Sequence, residues 1–198
     1  MNTVKKMRIK TTLKYTRPFY LIFAVLVVVL MNFIFSVTHK TPAYKTLTIF
    51  VSGEVADSKK LKNDLLERYQ DKDLKSVSTI SEDPGSPYYY SKLSVSGYNS
   101  ADILILPESI LTNLNVSAFG LKISAELKSD YFNNFAFFSQ EDSEYGIKLD
   151  KEKVKEYMLF PNEDCYMVLN AKSENIDSYS LNQIKRDNAL TLVKEWGM

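Results

Sequence analysis

The chain has one histidine, His39, and one cysteine, Cys165, among 198 residues. A single cysteine forms no intrachain disulfide. A thiol nucleophile needs a base beside it, and the one histidine stands at the edge of an apolar run far from Cys165. Cysteine–histidine catalysis is therefore excluded, and so is zinc held by those two residue types. Cys165 lies in the run Cys165-Tyr166-Met167-Val168-Leu169 and reads as a buried, inert thiol. Glycine is sparse, at six residues. No phosphate loop and no nucleophile elbow is present. The pairs Glu82-Asp83 and Glu141-Asp142 match no calcium-loop spacing and read as solvated loops. The sequence predicts no catalysis, no metal and no cofactor. A carboxylate-only hydrolase using Glu54 and Glu108 is the catalytic reading that these absences leave open.

Acidic residues are missing altogether from residues 1–40, which carry seven basic ones. The rest of the chain holds 18 basic and 24 acidic residues, a net charge of −6. An acidic domain of this kind argues against nucleic acid, which demands clustered lysine and arginine. It also argues against broad docking on anionic lipid.

What the N-terminal segment does have is a long uncharged stretch, Phe19 to Val37. About 20 apolar residues at ~1.5 Å rise span the hydrocarbon core of a bilayer. Lys5, Lys6, Arg8, Lys10, Lys14 and Arg17 precede it, and the excess of positive charge stays on the cytoplasmic side. The sequence thus predicts a basic cytoplasmic tail over 1–18 and a transmembrane helix over 19–37. A linker over 38–45 and an extracytoplasmic domain over 46–198 follow. The partner implied by residues 19–37 is the lipid bilayer. A cleaved signal peptide is the competing reading. Its apolar region is usually 7–15 residues, and Thr41-Pro42-Ala43 is a poor small-x-small cleavage site. The lack of disulfides outside a membrane points to a bacterial envelope.

Beyond the linker, Lys45 to Ser52 reads as a buried strand closed by Gly53. Asp57 or Ser58 caps a helix to about Tyr69, with Leu61, Leu65, Leu66 and Tyr69 on one face. A second strand runs from Leu74 to Ile80, and Ser81 to Pro87 is a turn. The segment from Tyr88 to Val95 is followed by Gly97. Asp102 to Leu106 is apolar on both faces, as a central parallel strand is, and a short helix follows from Glu108 to Leu114. Tyr131 to Ser139 is dense in aromatic rings. Further strands are read at Tyr145–Leu149 and Cys165–Asn170, with a closing helix at Asn188–Trp196. The alternation predicts an α/β fold with a mostly parallel sheet flanked by helices.

The order Leu47-Thr48-Ile49-Phe50-Val51-Ser52-Gly53, helix, strand, Tyr-rich helix, then Ala101-Asp102-Ile103-Leu104-Ile105-Leu106-Pro107 resembles the first lobe of extracellular solute-binding proteins of ABC importers. Tyr145-Gly146-Ile147-Lys148-Leu149 and Cys165-Tyr166-Met167-Val168-Leu169-Asn170 look like later strands of that lobe. The resemblance covers about residues 46–196. It implies a periplasmic-binding-protein-like single lobe, anchored by a helix, serving transport as a binding module beside a transporter or another envelope protein. The chain departs from the family in length, having no room between Tyr145 and Cys165 for a second lobe, and in lacking a lipid-attachment cysteine after the apolar segment. The alternative is a structural or assembly subunit without a small ligand.

Ligands of open α/β sheets bind beyond the carboxyl ends of the strands. The candidate ligand-binding residues there are Ser52, Gly53 and Glu54, the rings Tyr88, Tyr89 and Tyr90, and Glu108 and Ser109. Gly53 permits close backbone approach, and the tyrosines offer apolar faces with a polar handle. A binding module predicts a concave site lined by these groups. An assembly subunit predicts that the aromatic segment from Tyr131 to Phe138 is exposed.

Overall fold

The computed structural model describes residues 3–38, 41–72, 74–176, 178–179 and 185–198; His39 lies outside them. The chain divides into two compact units, residues 1–40 and 41–198. The first is a single helix, α1 (Thr3–Thr38). Within it Phe19–Ser36 has a mean hydropathy of 2.6 and none of it is buried, so it is long and apolar enough to cross a membrane. The helix takes in most of the basic segment as well as the apolar one, since lysine and arginine are themselves good helix formers.

The second unit is built on strands β1 (Thr46–Ser52), β2 (Glu54–Val55), β3 (Ser76–Glu82), β4 (Ile103–Pro107), β5 (Phe137–Gln140), β6 (Ser143–Lys148), β7 (Met158–Leu159) and β8 (Cys165–Leu169). Six of them form one sheet in the order β3-β1-β4-β8-β6-β5. β3, β1 and β4 pair in parallel. β8 runs antiparallel to β4 and β6, and β5 antiparallel to β6. Four of the six strands therefore share one direction. β2 and β7 form a separate antiparallel pair, as do β9 (Ser178–Tyr179) and β10 (Lys185–Arg186).

Strand alternation sorts the core into two layers. Leu47, Ile49 and Val51 of β1, Ile103 and Ile105 of β4, and Met167 and Leu169 of β8 face one side. Helix α2 (Ser58–Arg68) lays Leu61 and Leu65 on that side, and α8 (Asn188–Trp196) adds Leu190, Leu192, Val193 and Trp196. Phe50, Leu104, Leu106 and Val168 face the other side, where they meet Tyr89 and Leu93. Those two residues belong to a helical passage, Tyr89–Ser100, made of α3 (Tyr89–Lys92), a π turn (Leu93–Gly97) and α4 (Tyr98–Ser100). Gly97 lets the passage pack closely there: a Cβ would lie 2.8 Å from a Leu93 methyl and 3.2 Å from a Leu104 methyl.

Asp57 is the cap of α2, its carboxylate accepting from the Lys60 N–H at 2.8 Å. The second strand begins at Ser76 and continues through Ser81 and Glu82, which the turn-rich composition had assigned to the following break. Pairing with Val51 and Ser52 of β1 carries it on. Short helices α5 (Glu108–Thr112), α6 (Ala125–Asp130) and α7 (Lys151–Val154) fill the connections. In the aromatic segment Phe132 and Phe138 are buried, and Tyr131, Phe135 and Phe137 are half-buried against the core.

Candidate binding cleft

The link from β1 to β3 runs through α2 on one face of the sheet, and the link from β3 to β4 runs through residues 89–100 on the other. Adjacent connections that depart to opposite faces open a crevice at the strand carboxyl ends. A cleft of about 610 Å³ lies at that end of β1 and β3. Gly53 and Glu54 come from the end of β1, and Ser81, Glu82, Asp83 and Pro84 from the end of β3. The facing wall is Leu159, Phe160, Pro161 and Glu163.

Gly53 sets the distance between floor and wall. Its φ is +152°, and a Cβ there would lie 2.5 Å from the Leu159 carbonyl oxygen. Only glycine allows both the backbone angle and the approach. Its N–H donates to the Glu82 carbonyl at 3.1 Å, which ties the ends of β1 and β3 together.

The wall is fastened from two sides. Lys151 Nζ donates to the Pro161 carbonyl at 2.6 Å and also to that of Glu163. The Glu163 carboxylate accepts from the Ser109 N–H at 3.0 Å and from the Ser109 hydroxyl at 2.9 Å. Beside it, the Glu108 N–H donates to the Asp164 carbonyl at 2.9 Å. Lys148 pairs with Asp164 at 2.6 Å, and that hydrogen bond raises the lysine pKa.

On the opposite rim Lys92 pairs with Glu82 at 2.7 Å and donates to the Ser81 carbonyl at 2.9 Å. The lysine hydrogen bond, with a second from Ser86, holds the Glu82 carboxyl below its ordinary 4.5. Asp83 Oδ1 accepts from the Gly85 N–H at 2.8 Å. Glu54 is exposed, and its carboxylate has no partner among the described residues.

Of the residues singled out from the sequence, Gly53 and Glu54 line the cleft. Ser109 reaches it indirectly, through Glu163. Ser52 and Tyr89 are fully buried and bonded to each other, hydroxyl to phenol. Tyr89 also packs edge-on against Phe50, and burial pushes its phenol up to about 12. Tyr88 and Tyr90 are exposed, at 73% and 56%. They, like Glu108, are not among the cleft-lining residues. The wall at Leu159–Glu163 escaped the sequence reading. Its signal was Phe160-Pro161-Asn162, an aromatic next to a turn-forming pair just ahead of a strand.

Burial pushes the Cys165 thiol up to about 11. Among the described residues no three of histidine, cysteine, aspartate and glutamate come together as a metal site would require.

At the other end of the sheet, Asp102 is buried and accepts from the Thr48 N–H at 2.7 Å, from the Ser173 hydroxyl and from the Asn175 amide at 3.1 Å. Burial outweighs these bonds and raises its carboxyl pKa. Asn175 donates in turn to the Thr46 carbonyl at 2.9 Å. This network fastens the segment after β8 to the starts of β1 and β4.

No protein-family model matches the chain, and no curated protein matches it. Among solved structures it is similar to the maltose/maltodextrin-binding domain MalE from Bdellovibrio bacteriovorus bound to maltotriose, at 15% identity and a TM-score of 0.37. The match covers 52% of this chain and 28% of that one. The chain thus spans under a third of the protein it matches.

Proposed function

We propose that this is a single-pass, membrane-anchored protein whose acidic α/β domain works outside the cell as a binding module. The observation that carries the reading is the cleft at the carboxyl ends of β1 and β3, with Gly53 in its floor and a wall fastened by Lys151 and Ser109. The apolar helix supplies the anchor, and the basic residues before it supply the orientation, tail inside and domain outside. The strand order, with β8 returning antiparallel beside β4, supports kinship with one lobe of a solute-binding protein. In this reading the module binds without turnover and hands its ligand to a transporter or other envelope protein in the same membrane.

The assembly-subunit alternative calls for an exposed aromatic segment from Tyr131 to Phe138. Burial of Phe132 and Phe138 weighs against it.

Two measurements test the proposal. Intact mass of the membrane-extracted protein is expected to include residues 1–40, and a mature chain beginning near Ala43 sinks the anchor. Thermal unfolding of the full chain in detergent, screened against sugars, peptides, amino acids and polyamines, is expected to rise for one class. A ligand at 100 times its dissociation constant adds about 2.7 kcal/mol. A flat panel from a folded protein sinks the binding role.

A further inference from the structure

We infer that the ligand of this cleft is an organic cation, an ammonium or guanidinium group carried on an apolar stem; the inference rests on the binding role proposed above. The cleft combines two kinds of lining, and they meet where Glu54 pairs with Leu159 in the β2–β7 ladder. Glu54, Glu82 and Asp83 stand on the strand-end side, with Glu163 across from them. Leu159, Phe160, Pro161 and Pro84 supply apolar surface, and Leu159 is 54% exposed. Among the described residues no lysine or arginine lines the cleft. Two lysines that bond to lining residues are engaged by them. Lys92 is held by Glu82 and Lys151 by two wall carbonyls.

The carboxylates outnumber these lysines two to one. Three of the four have internal partners, and Glu54 alone has none among the described residues. A bound cation would meet Glu54 at the mouth while its stem lay against Leu159 and Phe160. Anionic ligands would meet uncompensated carboxylates and be rejected. A neutral sugar would donate hydrogen bonds to the carboxylates but leave the charge of Glu54 unbalanced. Lysine- and arginine-like stems suit such a lining because their methylenes pack on apolar surface while the charged head stays polar.

The chemistry has two sources, a free polyamine and a basic peptide, and the test separates them. The full chain in detergent is titrated calorimetrically with spermidine, the tripeptide Lys-Phe-Lys, the acidic tripeptide Glu-Phe-Glu and the neutral trisaccharide raffinose. Spermidine or Lys-Phe-Lys is expected to bind, the peptide alone if the apolar wall recognises a ring. Glu54→Lys is expected to weaken that binding about tenfold or more. Glu126→Lys, an equal charge change on the exposed helix α6, is expected to leave it unchanged. Binding of raffinose or the acidic peptide that Glu54→Lys preserves or improves overturns the cation assignment and leaves the cleft standing as a binding site. Cation binding weakened equally by both variants overturns the assignment as well, since it reports diffuse surface charge. No binding of any probe to the folded chain removes the cation and the binding role together.

Discussion

The hydroxyl of Ser52 and the phenol of Tyr89 bond to each other inside the core, with neither residue exposed. The pair joins the last residue of β1 to the helical passage that covers the sheet. Removing one partner leaves the other buried without a hydrogen bond. Tyr89→Phe is therefore expected to cost about 1–3 kcal/mol. In urea unfolding of the full chain, the double variant with Ser52→Ala should lose less than the two single losses added together.

Gly53→Ala is expected to be disproportionately damaging for a single methyl. The added Cβ meets the Leu159 carbonyl at 2.5 Å, and φ is +152°. Strain of this type costs on the order of 1–3 kcal/mol. The wall must move to relieve it, so ligand binding should weaken along with stability. An unchanged thermal midpoint would show that floor and wall are not in contact in solution.

Lys151→Met keeps most of the unbranched side chain and deletes its two bonds to the wall. Amide exchange at Phe160 to Asp164 is expected to speed up, while that of Ile103 to Leu106 stays slow. Equal acceleration in both segments would mean that Lys151 supports the whole fold rather than the wall.

Alkaline pH should unfold the domain through two buried phenols and one half-buried one. Tyr69, Tyr89 and Tyr98 are pushed up to about 12, chiefly by burial. The folded chain thus holds these protons more tightly than the unfolded chain, whose tyrosines ionise near 10. Their contribution to stability is complete below pH 10 and is lost as pH rises toward 12. Ultraviolet titration is expected to show these phenols ionising late and together with unfolding. Asp102 follows the same sign at the acid end. Burial raises it above 3.8, so its contribution is greatest below that pH and declines as pH rises through the raised value. Asp102→Asn should flatten that part of the profile while destabilising the fold.

Cys165 should be nearly inert to thiol reagents. A pKa of about 11 against an ordinary 9.0 leaves about 100-fold less thiolate at neutral pH. Labelling with a maleimide is expected to be slow in buffer and rapid in urea. Fast labelling of the folded protein would place the thiol at the surface.

Much of the architecture was legible because the local signals agreed with the burial. Asp102 to Leu106 reads as a central strand, and β4 is buried along its whole length between β1 and β8. Leu61, Leu65 and Tyr69 share one helical face, and that face is in the core. The end of β3 was obscured because Ser81 and Glu82 are polar and run straight into the turn-forming Asp83-Pro84-Gly85. Their strand geometry comes from pairing with β1, a partner far away in sequence. The site was half legible for the same reason. Gly53 and Glu54 follow a strand end, a rule that sequence can apply. The wall at Leu159–Glu163 comes from a connection positioned by the β2–β7 pairing and by Lys151 and Ser109, and no local pattern encodes those bonds. Tyr88, Tyr89 and Tyr90 look alike in sequence, yet helical geometry sends Tyr89 inward against Phe50 and leaves its neighbours exposed.

β1 is hydrogen-bonded along both flanks, by β3 and by β4, whereas the wall beside its end is held by the two-residue β2–β7 ladder and a few further bonds, those of Lys151 and Ser109 among them. The cleft is thus a vice with one fixed jaw and one adjustable jaw. Selection can retune the adjustable side residue by residue, altering how long a ligand stays, without touching the strand on which folding depends.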